Sequence, residues 1–409
     1  MPKKNESVSK PDGSKLHALW EVVALDAFSA PKSSSEQIVR KWDALKRLFQ
    51  RSTTVGESPF KPESELQQLP HEFVEHLTGP VDWSAPLSAF AATINGWSGT
   101  AGEPAVVFMV GPPWSGHAKV LHAWAAALNV PCIKPPTTQD ILRNNLDWMA
   151  PSPERSQFWI MPELERCYLR HAEGLEMVRS FLEQAMRGIY GPGIIGCDSW
   201  AWAYLQYVWP VPCSNVLTLQ AFDASRLTRL LRQLSIARSS SRYCFKNASN
   251  GKTVLCSDDA STEINATVHQ IAARCCGNVG LALSYWRAAL RSEPEVPDEE
   301  ESKKGADSSG DEHIVWLGRL PTSPVLPDEC NEEIALLLHT LLLHNGLEEE
   351  LLHKVLPMPH LHIMALLLRL LELRIVEQVA GRWHIAPLAY SGVCTYLRAR
   401  NYLLDHFQG

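Results

Sequence analysis

The sequence lacks any apolar run long enough to cross a bilayer as one helix. Its most apolar helical stretches, residues 334–343 and 361–373, fall short of the roughly 20 residues a span needs, and His339 and Arg369 interrupt them. No apolar segment stands behind the lysines of MPKKNESVSKPDGSK, which excludes a signal peptide there and leads us to expect a cytoplasmic protein with no membrane insertion. Positive charge is also short: 38 Lys and Arg face 45 Asp and Glu, a formal net charge of −7. That balance excludes chain-wide attraction to nucleic acid or anionic lipid, so any DNA contact must be local. The ten cysteines, Cys132, Cys167, Cys197, Cys213, Cys244, Cys256, Cys275, Cys276, Cys330 and Cys394, contain no CxxC pair and no knuckle-like spacing. Several lie in apolar stretches, and all are read as reduced core thiols. No internal repeat is present.

What is there suits a globular chain of two or three domains: 409 residues, 45% apolar and 20% charged. Residues 1–85 read as a polar tail and a helical arm, the arm opened by a serine cap at SSEQIVRKWDALKRLFQRS, residues 34–52. From 86 to 224, short apolar runs alternate with helical spacing, the pattern of a parallel sheet covered on both faces. Strands are predicted at residues 105–110, 130–133, 157–161, 194–197 and 216–219, with a helix over residues 164–187 weakened by Gly174. Residues 225–291 read as a helical lid, interrupted by a polar insert at 247–259. Residues 292–313 include SEPEVPDEEESKKGADSSGD, too charged to fold, and form an acidic linker. Residues 314–409 then give three helices (331–343, 347–356, 360–373), a two-stranded hairpin turning at Ala380 and Gly381, and a last helix over 392–407.

The segment that carries chemistry is GPPWSGHA, directly after the first strand and before a helical run. A phosphate loop needs this context, because loop amides and a helix N-terminus together surround an anion. Gly111 and Gly116 keep the spacing of GxxxxGK[ST], but His117 stands in place of the lysine and Ala118 in place of the magnesium-binding hydroxyl. Lys119 lies on another side of the first helical turn. The candidate nucleotide contacts are Gly111, Pro112, Pro113, Trp114, Ser115, Gly116, His117, Ala118, Lys119 and Asp198. The segment fits either weak ATP or ADP binding through backbone amides or a Gly-Pro turn with no ligand. Missing the lysine and hydroxyl, it predicts slow or absent hydrolysis, with Mg²⁺ deprived of its protein ligand.

The third strand runs into MPELERC, where Glu163 and Glu165 are the candidates for a catalytic base; a helix start is the competing explanation. The fourth ends in Asp198 and Ser199, a polar sensor position or a helix cap. Together these segments resemble the AAA+ superfamily of P-loop NTPases, in particular its initiator-like and signal-transducing branches, over residues 86–404. The resemblance implies a five-stranded parallel α/β sheet, a helical lid and a C-terminal winged helix. Within CCGNVGLALSYWRAAL it places Gly280 where those families carry a second sensor arginine.

As a DNA reader the C-terminal part is poorly equipped: from residue 331 on, six basic residues face eight acidic ones, and HLHIMALLLRLLEL offers few side chains for a base edge. His339, His344, His353, His360 and His362 lack metal-ligand spacing and are read as surface or capping residues, so no metal site is expected. Trp200, Trp202, Tyr204, Tyr207 and Trp209 divide between core packing and a protein-binding patch, with packing favoured. The sequence thus points to an ATPase-impaired AAA+-like regulator or scaffold with a protein partner, homo-oligomerisation being compatible. The alternatives are an atypical active ATPase and an initiator-like or transcription-associated DNA binder.

Overall fold

The computed structural model describes residues 18–31, 61–94, 105–143, 145, 148, 158–210, 215–236, 242–256, 264–294, 312–327 and 332–407. The arm predicted at 34–52 and most of the acidic linker lie outside them.

The first sheet contains β1 (Val22–Ala24), β3 (Val106–Gly111), β4 (Trp159–Met161), β5 (Gly193–Asp198) and β6 (Val216–Leu219), in the order β1-β6-β3-β5-β4. The runs VVFMVG and GIIGCD, apolar on both faces, fill its centre as fully buried strands, as parallel strands flanked by helices must be. β6, β3, β5 and β4 are mutually parallel. The fifth strand corrects the sequence reading in two ways. Residues 130–133 contribute only a bridge from Cys132 to Ile160, and β1, from the N-terminal segment ahead of the predicted arm, pairs antiparallel with β6. The sheet is therefore mostly parallel, not wholly so.

The helix predicted over 164–187 breaks into two 3-10 turns and the α-helix Glu176–Met186. Gly174 marks the break: a Cβ there would lie 2.7 Å from the Leu169 carbonyl oxygen, and the Leu169 amide bonds back to the Gly174 carbonyl at 3.2 Å.

The larger departure concerns the lid, which is not all helical. Beside the helices Ala224–Ile236, Ala266–Arg274 and Val279–Ala289 stands a second sheet, β2 (Gln67–Gln68), β7 (Arg242–Asn247), β8 (Thr253–Cys256), β9 (Leu290–Ser292) and β10 (Glu312–Leu317), ordered β2-β9-β10-β7-β8. The polar insert is its hairpin turn: Gly251 takes φ 64° and the Asn247 side chain accepts the Ser249 amide at 2.9 Å. Cys244 and Cys256 lie directly opposite on β7 and β8 and form a disulfide, which corrects the expectation of ten reduced thiols. The boundary at residue 314 falls inside β10, which pairs with β7 and β9 and so ties the chain after the linker back to the lid sheet.

The helices Glu332–Leu343, Glu349–Val355 and His360–Glu372 pack with a three-stranded antiparallel sheet, β11 (Leu347–Glu348), β12 (Val376–Val379) and β13 (Arg382–Ile385), ordered β11-β13-β12. Ala380 and Gly381 take φ 50° and 80°, the left-handed pair that a tight two-residue hairpin demands. The last helix is shorter than predicted, Tyr390–Ala399, and ends where Asn401 adopts φ 58°. Beyond it the chain doubles back so that Phe407 joins the core cluster containing Phe108 and Trp202. This part docks firmly on the first sheet: Tyr168 Oη donates to the Leu343 carbonyl at 2.7 Å, and Trp200 Nε1 donates to Tyr390 Oη at 2.9 Å. No single described helix is long and apolar enough to cross a membrane.

Candidate functional site

β3 runs straight into the loop, and its last residue, Gly111, is the register partner of Asp198 at the end of β5. Carboxyl ends of adjacent parallel strands are where such sheets receive ligands. The loop turns through Trp114 at φ 62° and Gly116 at φ 88°, then enters the helix His117–Leu128. Only glycine suits position 116, since a Cβ would fall inside the Trp83 indole. The amides of Gly116, His117, Ala118 and Lys119 have no acceptor among the described residues, so the first turn of the helix keeps its free donors.

The side chains do not follow the backbone. His117 is 4% exposed, and its Nδ1 lies 3.0 Å from Ser115 Oγ while Nε2 has no partner. Burial lowers its pKa to about 4, so at neutral pH the position that should carry a cation is neutral. Lys119 points away, its Nζ 5.7 Å from the centroid of the Trp83 ring. Half-buried Ala118 offers no oxygen.

The acids are committed elsewhere. Glu163 is held by Arg166 at 3.3 Å and faces His122 at 3.9 Å. Glu165, 1% exposed, accepts the Asp198 amide at 3.0 Å, and burial pushes its pKa up to about 7. Asp198 caps the helix Ser199–Val208 by accepting the Trp200 amide at 3.0 Å; its Oδ2 has no partner. Burial first, and the Glu165 charge second, raise the Asp198 pKa well above the usual range. Its neighbour Ser199 donates to Asp405 at 2.5 Å. Glu165 and Asp198 are thus brought together, but Glu163 faces out of the pair. No cluster of three metal-ligating side chains exists among the described residues.

Three residues that the sequence did not single out, from three separate segments, close the loop. Asn278 Nδ2 donates to the Pro113 carbonyl at 2.7 Å, Tyr390 packs edge-on against Trp114 at 5.2 Å, and Trp83 covers Gly116. Asn278 was findable as an Asn before an apolar helix, because it also caps that helix through the Leu281 amide. Gly280 lies against the Trp114 backbone, where a Cβ would collide with the Trp114 carbonyl, so no arginine fits there. The cavity beside the loop, lined by Trp20, Pro112, Ser115, Phe222, Asn278 and Tyr390, measures about 60 Å³. A drug-sized ligand takes about 300–1,000 Å³, so this space is water-sized.

Two histidines read as surface residues are core: His339 and His344 are 6% and 1% exposed, and His339 Nε2 lies 3.2 Å from the Leu403 carbonyl. His360 and His362 instead face Glu349 and Glu333, each at 2.9 Å. In the aromatic cluster Trp200 and Trp202 are buried, and Tyr207 alone is a large exposed hydrophobic.

No family model matches this chain, and no curated protein matches it in sequence. Solved structures with a similar chain path include the Thermotoga maritima RuvB Holliday junction branch migration motor, at 12% identity and TM-score 0.28, covering 82% of this chain and 97% of that one. A Walker-type ATPase of Pyrococcus abyssi follows at 11% identity and TM-score 0.26, covering 71% and 91%. PCH-2 of C. elegans is 15% identical at TM-score 0.28, covering 58% and 74%. Superpositions this loose fix no family; the loop's own geometry has to carry the function.

Proposed function

We propose that the protein is an AAA+-like module with an impaired nucleotide site, acting as a regulatory or scaffolding component through protein contacts. The observation that carries this reading is the neutral, buried His117 bonded to Ser115 at the position of the phosphate lysine. It leaves the loop with free amides and no cation. Any ATP or ADP is then held by backbone alone, and displacing Tyr390 and Asn278 is the condition for its entry. Hydrolysis further needs a metal carboxylate and a base, whereas Glu163 is paired with Arg166 and Glu165 with the Asp198 amide.

The C-terminal helices and hairpin form a winged-helix-like module that supports protein rather than DNA contact. Its third helix, where a DNA reader needs polar side chains, turns Leu361, Leu368 and Leu371 to solvent at 82%, 53% and 40% exposure. The test is a fluorescence titration of the full chain with ATP and ADP, paired with a phosphate-release assay. A quench that Trp114→Phe abolishes, without phosphate release, is the expected result. Steady turnover lost in Glu163→Gln refutes the reading in favour of a working ATPase, and salt-sensitive retention on duplex DNA refutes it in favour of a DNA binder.

A further inference from the structure

A second cavity, about 690 Å³, opens between residues 135–142, the turn after β4 and strand β11. Unlike the space beside the loop, it falls within the range that holds a small molecule, about 300–1,000 Å³. Arg166, Lys354 and Arg382 all line it, as does His344.

The charges in its wall are incompletely matched. Arg382 donates to the backbone carbonyls of Gly346 and His344, yet no carboxylate lies within ion-pair reach of it among the described residues. Burial, and then the nearby Arg166, depress its pKa against the opposing pull of Glu348, Glu163 and Glu165. Arg166 has one carboxylate partner, Glu163, and Lys354 has no ion pair among the described residues. His344 is buried in the wall: its Nε2 accepts the Arg170 amide at 3.3 Å, so the single proton of the neutral ring sits on Nδ1, which is buried toward the Glu165 backbone. Burial keeps this ring neutral by lowering its pKa to about 3. Two guanidinium groups and an ammonium lining one cleft of this size favour an oxyanion ligand.

Glu348, the register partner of Arg382 across β11 and β13, and Glu350 also line the cleft, so a strongly charged polyanion is repelled while one anionic group is accepted. Glu165, which also lines the cleft, has its pKa raised to about 7 by burial and is largely uncharged below neutrality.

We propose that this cleft binds a small molecule through a single oxyanion group, a carboxylate or a phosphate monoester, received by Arg166 and Arg382 with Lys354 at the rim. The site is separate from the GPPWSGHA loop and stands without the nucleotide reading.

Calorimetric titration of the full chain with acetate and with inorganic phosphate, at fixed ionic strength, tests it. Saturable binding of either probe is expected, and which one binds tells carboxylate from phosphate. Arg166→Gln is expected to weaken it about tenfold, as losing one charge-assisted hydrogen bond does. Because Arg382 also anchors backbone, Lys354→Ala serves as a second, exposed variant, with a smaller loss expected. No saturable binding of either probe overturns the proposal. So does binding that Arg166→Gln and Lys354→Ala both leave unchanged, which places the anion elsewhere, the loop amides included.

Discussion

Asn278 gives its side-chain amide to the Pro113 carbonyl at 2.7 Å while its Oδ1 accepts the Leu281 amide at 3.2 Å. One side chain therefore starts the lid helix and holds the phosphate-type loop against it. Replacing Asn278 with Ala removes a cap and a buried loop contact together, and the expected cost is about 1–3 kcal/mol. Urea denaturation measures it. Unchanged stability would mean that Trp83 and Tyr390 alone position the loop.

His117→Lys restores the missing cation in a place that drives an imidazole pKa down to about 4. A buried ammonium without a partner destabilises, by about 1–3 kcal/mol where a few loop dipoles help. The midpoint of thermal unfolding is then expected to fall without ligand and to recover with millimolar ADP by more than in the wild type. Equal recovery in both proteins would show that the loop does not present its amides to phosphate.

Glu165 makes a pH signature. Its pKa rises from 4.5 to about 7 on folding, so between those values the folded chain holds a proton that the unfolded chain has released. This contribution to stability is complete below pH 4.5 and lost as pH rises through about 7. The buried imidazoles act in the opposite sense: His117 and His339 titrate near 4 and His344 near 3, against 6.5 unfolded, so their contribution is complete above 6.5 and lost as pH falls toward those values. Glu165→Gln removes only the first effect. Thermal unfolding across pH 5 to 8 should find the variant gaining on the wild type as pH rises; two parallel curves would mean that Glu165 is ionised at all these pH values.

How far the sequence spoke depended on the kind of signal. β3, β5 and β6 were legible because VVFMVG, GIIGCD and VLTL are short apolar runs bounded by turn residues, and the loop followed from two glycines after a strand. The second sheet was not, because β7 and β8 carry Arg, Lys, Asn and Thr among their apolar residues, and β10 pairs with β7 across 69 intervening positions of which no local pattern speaks. The Cys244–Cys256 disulfide was hidden for the same reason: it depends on strand register, not spacing. At the site, the residue types at 111–118 were readable, but Trp83, Asn278 and Tyr390, which close the loop, come from three distant segments.

Ser199 and Asp405 give the last test, since they join the end of β5 to the chain's final turn. Both are buried, at 1% and 6% exposure, and the Ser199 hydroxyl donates to Asp405 Oδ2 at 2.5 Å. A hydrogen bond to a buried carboxylate contributes about 1.5–3 kcal/mol, so Ser199→Ala should lower stability by that order, whereas Ser199→Thr keeps a hydroxyl and should lose less. The loss should also be local. Phe407, packed edge-on against Phe28 at 4.7 Å, follows Asp405 by two residues, so weakening the anchor frees the tail before the sheet. Limited proteolysis is expected to clip the alanine variant near residues 400–407 at temperatures where the wild type resists. Cleavage at equal rates in both proteins would show that the ring packing, and not the buried carboxylate, holds the tail.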